Sequence, residues 1–454
     1  MLFDLQRPFV YENKGKLERR NRVSVDKIFT NITIAKRTVS EWLVAFVFFL
    51  PFVQAFLSEF LRLPDEIKFL ADVVLIMLLV KIFMISRDVS IAKQLIPFLV
   101  IIGVFFAYVT VTYFLNYKSI FYYIWGTRNY FRFYVAFIAY VFFLKWSDVK
   151  SWLKLLDWLY VLNFFVVIVE FLLGFRQDYL GGIFGVQKGC NGGLLVFLTV
   201  VLTKAVLGFM RDEERTTKCL LFAFMGLLIA ALSELKIFFI IFIAIVLLAM
   251  LMTKNSVKKT VFFSLCVVML VVFSSLLSLM YDEFAGFLSL DKLWEAFLNP
   301  NYATKEDIGR FTAIPTISEY FLTSLSDKLV GIGLGNADTS SLTVFNTPFY
   351  EMYGSLHYAI FSHSFLYLET GIIGLLVYSS FFVASFVVAL RLYISKKADE
   401  CVCQLTMIFS VMCVIFMFYN VALRSETSAY LAFFVLALPL ISSNAIRPTV
   451  DTRK

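Results

Sequence analysis

Apolar residues run almost unbroken through most of this chain. They form stretches of roughly 17 to 25 residues, the length an α-helix needs to cross a hydrocarbon core of about 30 Å. Twelve such stretches are predicted as spans, at about 41–61, 67–86, 95–115, 128–144, 152–174, 191–210, 217–233, 236–252, 260–280, 364–393, 402–420 and 427–444. The runs are continuous rather than alternating with period two, which excludes a β-barrel. Short polar links join them, with one exception. From Tyr281 to Gly371 the chain stays mixed and polar for about 80 residues. Loops of that length are functional or disordered, and this one carries too many aromatic residues for disorder.

Within that long segment, residues 286–298 (GFLSLDKLWEAFL) place Phe287, Leu290, Leu293, Trp294 and Phe297 at helical spacing. They predict a helix lying on the membrane surface. Residues 309–330 predict a second helix, with Arg310 near its start and Pro315 in its first turns, ended by GIGLGN. The expected fold class is therefore all-α, a polytopic integral membrane protein of about twelve transmembrane helices with one long outer loop. Its parts are a basic tail over 1–40, helices 1–9 over 41–280, the long loop over 281–363, helices 10–12 over 364–444 and a second tail over 445–454.

Composition agrees with that pattern. Of 454 residues, 60% are hydrophobic and 16% charged, against roughly 45–50% and about 25% in soluble domains. Residues 1–39 are polar and basic with no apolar core of a signal peptide. The net charge of +8 is read as a topology signal rather than as affinity for nucleic acid. With the N-terminus inside, links and tails on the cytoplasmic side hold 26 Lys and Arg, and the outward segments and helix edges hold 13. That bias follows the positive-inside rule and puts the long loop outside.

Of the six cysteines, only Cys190 is predicted to face outward, so no structural disulfide is expected there. Cys401 and Cys403 form a C-x-C without a partner pair, which does not make a zinc site. No Asp-x-Asp, paired histidines or ligand cluster is found in the outward segments. No metal or other cofactor is therefore expected, and charge stabilisation falls to arginine and lysine.

The candidate residues are the polar and charged side chains that the membrane makes costly. Lys236, in ALSELKIFFII with Glu234 two residues before it, would place a cation at the mouth of an outward cavity, or snorkel as an anchor. Arg128 and Arg132, in WGTRNYFRFY, share one helix face and could clamp a phosphate, or anchor span 4. Arg310 is the only arginine in the long loop, where acids outnumber bases ten to four over 281–362; a plain salt bridge is its alternative. His363, where the loop returns to the membrane, is a candidate general base, and His357 a weaker one. Glu369 could sit at the outer edge of span 10, and Arg424 is another outward cation. Lys188 and Asn191 lie in a glycine-rich outward break over 181–193 (GGIFGVQKGCNGG). The GIGLG run has G-x-G-x-G spacing and no strand–helix context, so it reads as a flexible turn and not a dinucleotide fingerprint.

In order and placement these elements resemble the superfamily of O-antigen polymerases (Wzy-type) and O-antigen ligases. The shared features are an outer loop before the tenth span, Arg310 near its start, the Gly331–Gly335 turn, His363, and a span opening E-x-G-I-I-G from Glu369 to Gly374. Ser233-Glu234-Leu235-Lys236 is a loose match to a basic motif at an earlier helix junction, with Lys in place of Arg, and Ser364 stands where the family frequently has Asn. The resemblance implies a glycosyltransferase in the bacterial inner membrane, active at the periplasmic face. It would take a glycan donor and acceptor carried on undecaprenyl diphosphate, beside membrane lipids, with a chain-length regulator and a flippase as candidate partners. Arg310 would stabilise the diphosphate, assisted by Lys236, Arg128, Arg132, Arg424, Lys188 and Glu369, and His363 would deprotonate the acceptor hydroxyl. A ligase that moves glycan to lipid A–core shares this chemistry. A lipid-linked sugar transporter would instead show internal repeats or helices broken at mid-membrane.

Overall fold

The computed structural model describes residues 38–59, 61–86, 89–254, 256–280, 308–340, 343–443 and 446–448. The predicted surface helix at 286–298 lies outside the described residues. Each of the twelve apolar stretches is helical: α1 (Val39–Glu59), α2 (Phe69–Ile85), α3 (Ile96–Leu115), α4 (Ile120–Phe143), α5 (Trp146–Leu172), α6 (Asn191–Met210), α7 (Thr216–Leu232), α8 (Lys236–Leu251), α9 (Val257–Met280), α13 (Ser362–Ile394), α14 (Glu400–Tyr419) and α15 (Glu426–Ser442). Among the described residues between α9 and α13 lie three short α-helices, α10 (Ala313–Tyr320), α11 (Leu325–Val330) and α12 (Pro348–Tyr353). Among the described residues, seven helices, α1, α3, α5, α6, α9, α13 and α14, are long and apolar enough to cross a membrane, while α7, α8 and α15 are shorter apolar helices.

Large apolar side chains stand exposed along the outer faces of α2 (Val73, Ile76, Val80, Phe83), α5 (Trp158, Leu162, Phe165, Val169) and α9 (Val261, Val268, Val272). A belt of that kind needs an apolar surrounding. α6 is enclosed, with almost every residue buried. Lipid does not drive helices together as water does, so small residues and polar contacts matter more. Gly226 of α7 is an instance: a Cβ there would meet the Tyr160 hydroxyl and Leu202 at 2.6 Å.

The links alternate between two ends of the bundle. At one end Lys145 pairs with Glu41 at 2.7 Å, Lys258 with Asp212 at 2.8 Å and Arg211 with Glu400 at 3.3 Å. A short antiparallel ribbon, Val89–Ile91 with Ile446–Pro448, joins the link after α2 to the C-terminal segment. At the other end the Val186 amide donates to Glu59 at 3.0 Å, the Ser362 amide to the Asn420 carbonyl at 3.1 Å, and the Trp125 indole to the Thr339 carbonyl at 3.2 Å. All the candidate residues from the sequence belong to this second end.

Three expectations need correction. α4 begins at Ile120, not near 128, because Ser119 caps it by accepting from the Phe121 amide at 3.3 Å. Arg128 is thus more than two turns inside the helix. The single helix expected over 309–330 is two, α10 and α11, separated where Ser324 caps α11 in a reciprocal capping box with Asp327.

The GIGLG segment is not a flexible turn. Gly331, Gly333 and Gly335 have φ of 71°, 95° and 84°, and the turn wedges into a break in α13. That break is at Gly371, with φ 62°. The interruption leaves carbonyls of the first half-helix without helical donors. The Ile332 and Gly333 amides donate to the Leu368 and Glu369 carbonyls at 3.0 and 2.9 Å, and the Tyr108 hydroxyl donates to the Thr370 carbonyl at 2.7 Å. Irregular backbone among packed helices persists only when its polar groups are paired in this way. Glycine is required at the closest approach, since a Cβ at Gly335 would lie 1.9 Å from the Tyr122 carbonyl oxygen.

Candidate functional site

Two groups of polar side chains occupy the loop end of the bundle. The first is buried along one face of α4. Arg128 pairs with Asp72 of α2 at 2.7 Å and with Glu426 at the start of α15 at 3.0 Å. Arg132, one turn on, also pairs with Glu426 and donates to the Arg424 carbonyl at 3.2 Å. Arg424 pairs with Asp338 at 3.0 Å and stacks over the Phe365 ring at 3.6 Å. The second Asp338 oxygen accepts from Asn129 at 2.6 Å. Burial works against charge on Arg424, yet Asp338, with Tyr130 and Glu369 behind it, holds its pKa above the ordinary arginine value. It stays a cation.

Glu369 sits in the first half of α13, fully buried, rather than at an outer edge. One of its oxygens accepts from the Ala337 amide at 3.1 Å; the other has no hydrogen-bond partner among the described residues. The structure thus brings Arg128, Arg132, Arg424 and Glu369 together, but each arginine already has a carboxylate. They lock α2, α4, α13, α15 and the 336–340 segment to one another. An anion could bind there only by displacing an acid.

The second group surrounds Tyr419, at the C-terminal end of α14. Arg310 is exposed, and its guanidinium lies over the Tyr419 ring at 4.4 Å and near Phe361 at 5.5 Å. Among the described residues it makes no ion pair. Asp178 and Glu234 lie within electrostatic reach of the Tyr419 hydroxyl. Glu234 pairs with Lys236 at 3.1 Å in the turn between α7 and α8, and Asp178 accepts from the Asn191 amide at 2.6 Å. Lys188 is exposed on the neighbouring loop. That loop is stapled from below: the Gly182 amide donates to Glu170 at 2.8 Å and the Ile183 amide to Asn163 at 2.9 Å.

His363 stands beneath this group. Its Nδ1 is 3.0 Å from the Met417 carbonyl oxygen and its Nε2 is 3.0 Å from the Arg310 carbonyl oxygen. The ring is buried and lies tilted against Phe418 at 4.5 Å. A neutral imidazole has one N–H and one lone pair. With both nitrogens facing carbonyls, no lone pair is open to a substrate hydroxyl. This corrects the expectation that His363 is the base: in this conformation it positions the Arg310 backbone. His357 is exposed in a left-handed conformation at the tip between short helical turns.

The chain matches no known family model and no curated protein. The resemblance to the polymerase and ligase superfamily therefore rests on the motifs and their order. Among the described residues, no group of three or more His, Cys, Asp or Glu side chains is placed to hold a metal ion. The residues that sequence reasoning passed over are the acids Asp72, Asp338 and Glu426, with Asn129 and Tyr419. The cost of burying charge applies to carboxylates as to cations, and the same scan run for acids would have marked Asp72 within its span.

Proposed function

We propose that this chain is a polysaccharide polymerase of the bacterial inner membrane. It crosses the bilayer twelve times, keeps its basic tails in the cytoplasm and turns the Tyr419 end of the bundle to the periplasm. There it transfers a growing glycan from undecaprenyl diphosphate to a lipid-linked repeat unit. The observation that carries this reading is the meeting of Arg310 and Glu234 around Tyr419, with Lys236 paired to Glu234, from motif segments far apart in the sequence. The leaving group is a multiply charged lipid diphosphate, which a planar guanidinium can bind in bidentate fashion and an ammonium can supplement. Preorganised cations at developing charge supply a large share of such catalysis. Arg310 is the exposed cation best placed for this, with Lys236 second. Arg128, Arg132 and Arg424 act as the buried frame that sets the end of α4 against the loop.

The test is elongation by the purified protein of undecaprenyl-diphosphate-linked repeat units. Formation of a ladder supports the reading, and its absence with intact, folded protein overturns it. In cells, loss of the gene should leave a single capped repeat. Accumulation of carrier-linked polymer with no glycan on lipid A would instead identify the ligase.

One observation favours a transporter as a second reading. α13 is broken at Gly371, and buried Glu369 has a carboxylate oxygen without a partner beside the break. Broken helices with polar groups at the break line the sites of many transporters. Movement of lipid-linked sugar across proteoliposomes without elongation would select it.

A further inference from the structure

We propose that Glu234 is the general base of the transfer, an assignment that rests on the polymerase reading above. The reaction needs a proton acceptor beside the cations, and the described residues of the Tyr419 group offer three. His363 has both ring nitrogens against carbonyl oxygens. Asp178 is exposed and held by the Asn191 amide. Glu234 is half-buried and paired with Lys236, and its setting differs from both.

Glu234 occupies the one-turn link between α7 and α8 with φ 56°, a left-handed conformation that glycine adopts freely and a glutamate does not. The turn is pinned on both sides of it. The Leu235 amide donates to the Ala230 carbonyl and the Lys236 amide to the Glu234 carbonyl, each at 2.9 Å. The strained backbone is thus over-determined by its neighbours, as at sites where strain serves a purpose. It carries the side chain into the half-buried space where Lys236 holds one carboxylate oxygen at 3.1 Å. Lys236 of α8 pairs with it, and Arg310 from the loop and Asp178 from the 177–190 segment share with it the surroundings of the Tyr419 hydroxyl on α14.

Lys236 holds the Glu234 carboxylate in place beside the cations that would bind the diphosphate. The acceptor hydroxyl oxygen then attacks the anomeric carbon as its proton passes to a Glu234 carboxylate oxygen. The bond from the anomeric carbon to the diphosphate oxygen breaks, and its electron pair leaves with undecaprenyl diphosphate. The proton is released to solvent as the product departs.

Steady-state elongation by the purified full-length chain, on undecaprenyl-diphosphate-linked repeat units, tests this. Glu234→Gln should lower kcat by roughly a hundredfold or more and leave the donor KM within a few-fold. Glu234→Asp, which keeps a carboxylate, should retain more turnover than Glu234→Gln. Glu234→Ala should regain turnover when formate is added. Wild-type turnover in Glu234→Gln overturns the assignment while the polymerase reading stands. Equal loss in all three variants without rescue by formate makes Glu234 structural and also overturns it. Failure of the wild-type protein to elongate is the separate outcome that removes the polymerase reading itself.

Discussion

His363 holds Arg310 by its backbone: Nε2 of the imidazole meets the Arg310 carbonyl oxygen at 3.0 Å, while Nδ1 meets the Met417 carbonyl at the same distance. The ring bridges α14 and the loop that presents the guanidinium. His363→Ala should therefore free the 308–312 segment, and hydrogen exchange there should rise while the rest of α14 stays protected. His363→Gln can donate to one of the two carbonyls and should lose less. If His363 were the base instead, Gln and Ala would abolish elongation equally with no change in exchange.

Arg310 is exposed and stacked on Tyr419, so its removal should leave the bundle intact. Arg310→Ala is expected to reduce elongation by about a hundredfold or more, the usual cost of losing one preorganised charge stabiliser. Arg310→Lys should keep the charge, lose the bidentate geometry and fall between. Expression, thermal stability and donor turnover measured together separate this from misfolding.

The Arg424–Asp338 pair predicts the opposite pattern. Both side chains are nearly enclosed, at 9% and 4% exposure. Arg424→Ala leaves Asp338 buried without its counter-ion, which should cost about 3–5 kcal/mol. Replacing both by apolar residues should recover much of that loss. Thermal unfolding in detergent is the measurement, and a single variant as stable as the parent would contradict the packing described.

Gly335→Ala and Gly371→Ala test the wedge. A Cβ at Gly371 would lie 2.3 Å from the Leu329 carbonyl group, and both positions have positive φ. Each substitution should destabilise by at least about 1–3 kcal/mol from backbone strain alone. Gly103, where a Cβ meets nothing within 4 Å, is the control and should change little.

Cys190 precedes α6 on the exposed loop, yet its thiol is pushed up to about 12 by burial, with Glu170, Glu59 and Asp178 adding to the effect. The sign is simple: at pH 7.5 it stays protonated. Maleimide should label it roughly a thousandfold more slowly than an ordinary cysteine, and the rate should still be rising at pH 10. Fast labelling at neutral pH would mean that the 181–190 loop opens.

Much of the architecture was legible in sequence, because continuous apolar runs leave a helix few alternatives in lipid. The errors fell where that signal weakens. Residues 120–127, IFYYIWGT, mix tyrosine, tryptophan, glycine and threonine, so the apolar signal of α4 starts only near 128 and hides the depth of Arg128. The ion pairs were illegible for a different reason. Arg128 meets Asp72 and Glu426, 56 and 298 residues away, and spacing along the chain says nothing about such meetings. Glycine density did mark 331–335 as unusual. What it could not show was the partner, since the need for those glycines lies in the Tyr122 carbonyl on α4 and the open carbonyls of α13.

The amides that the glycine wedge lends to α13 also set where this protein can be cut and rejoined. A chimera that exchanged the outer loop by joining ends near 330 and 362 would remove the Ile332 and Gly333 donors and strand two carbonyls between helices. Segments 325–340 and 362–371 must travel together, so grafting a new specificity is confined to the stretch between them, 343–358, and a graft there has to keep its ties to both sides: the Thr347 hydroxyl to the Asp338 carbonyl at 3.1 Å, the Tyr358 hydroxyl to the Ala337 carbonyl at 2.6 Å and the Ser364 hydroxyl to the Tyr358 carbonyl at 3.0 Å.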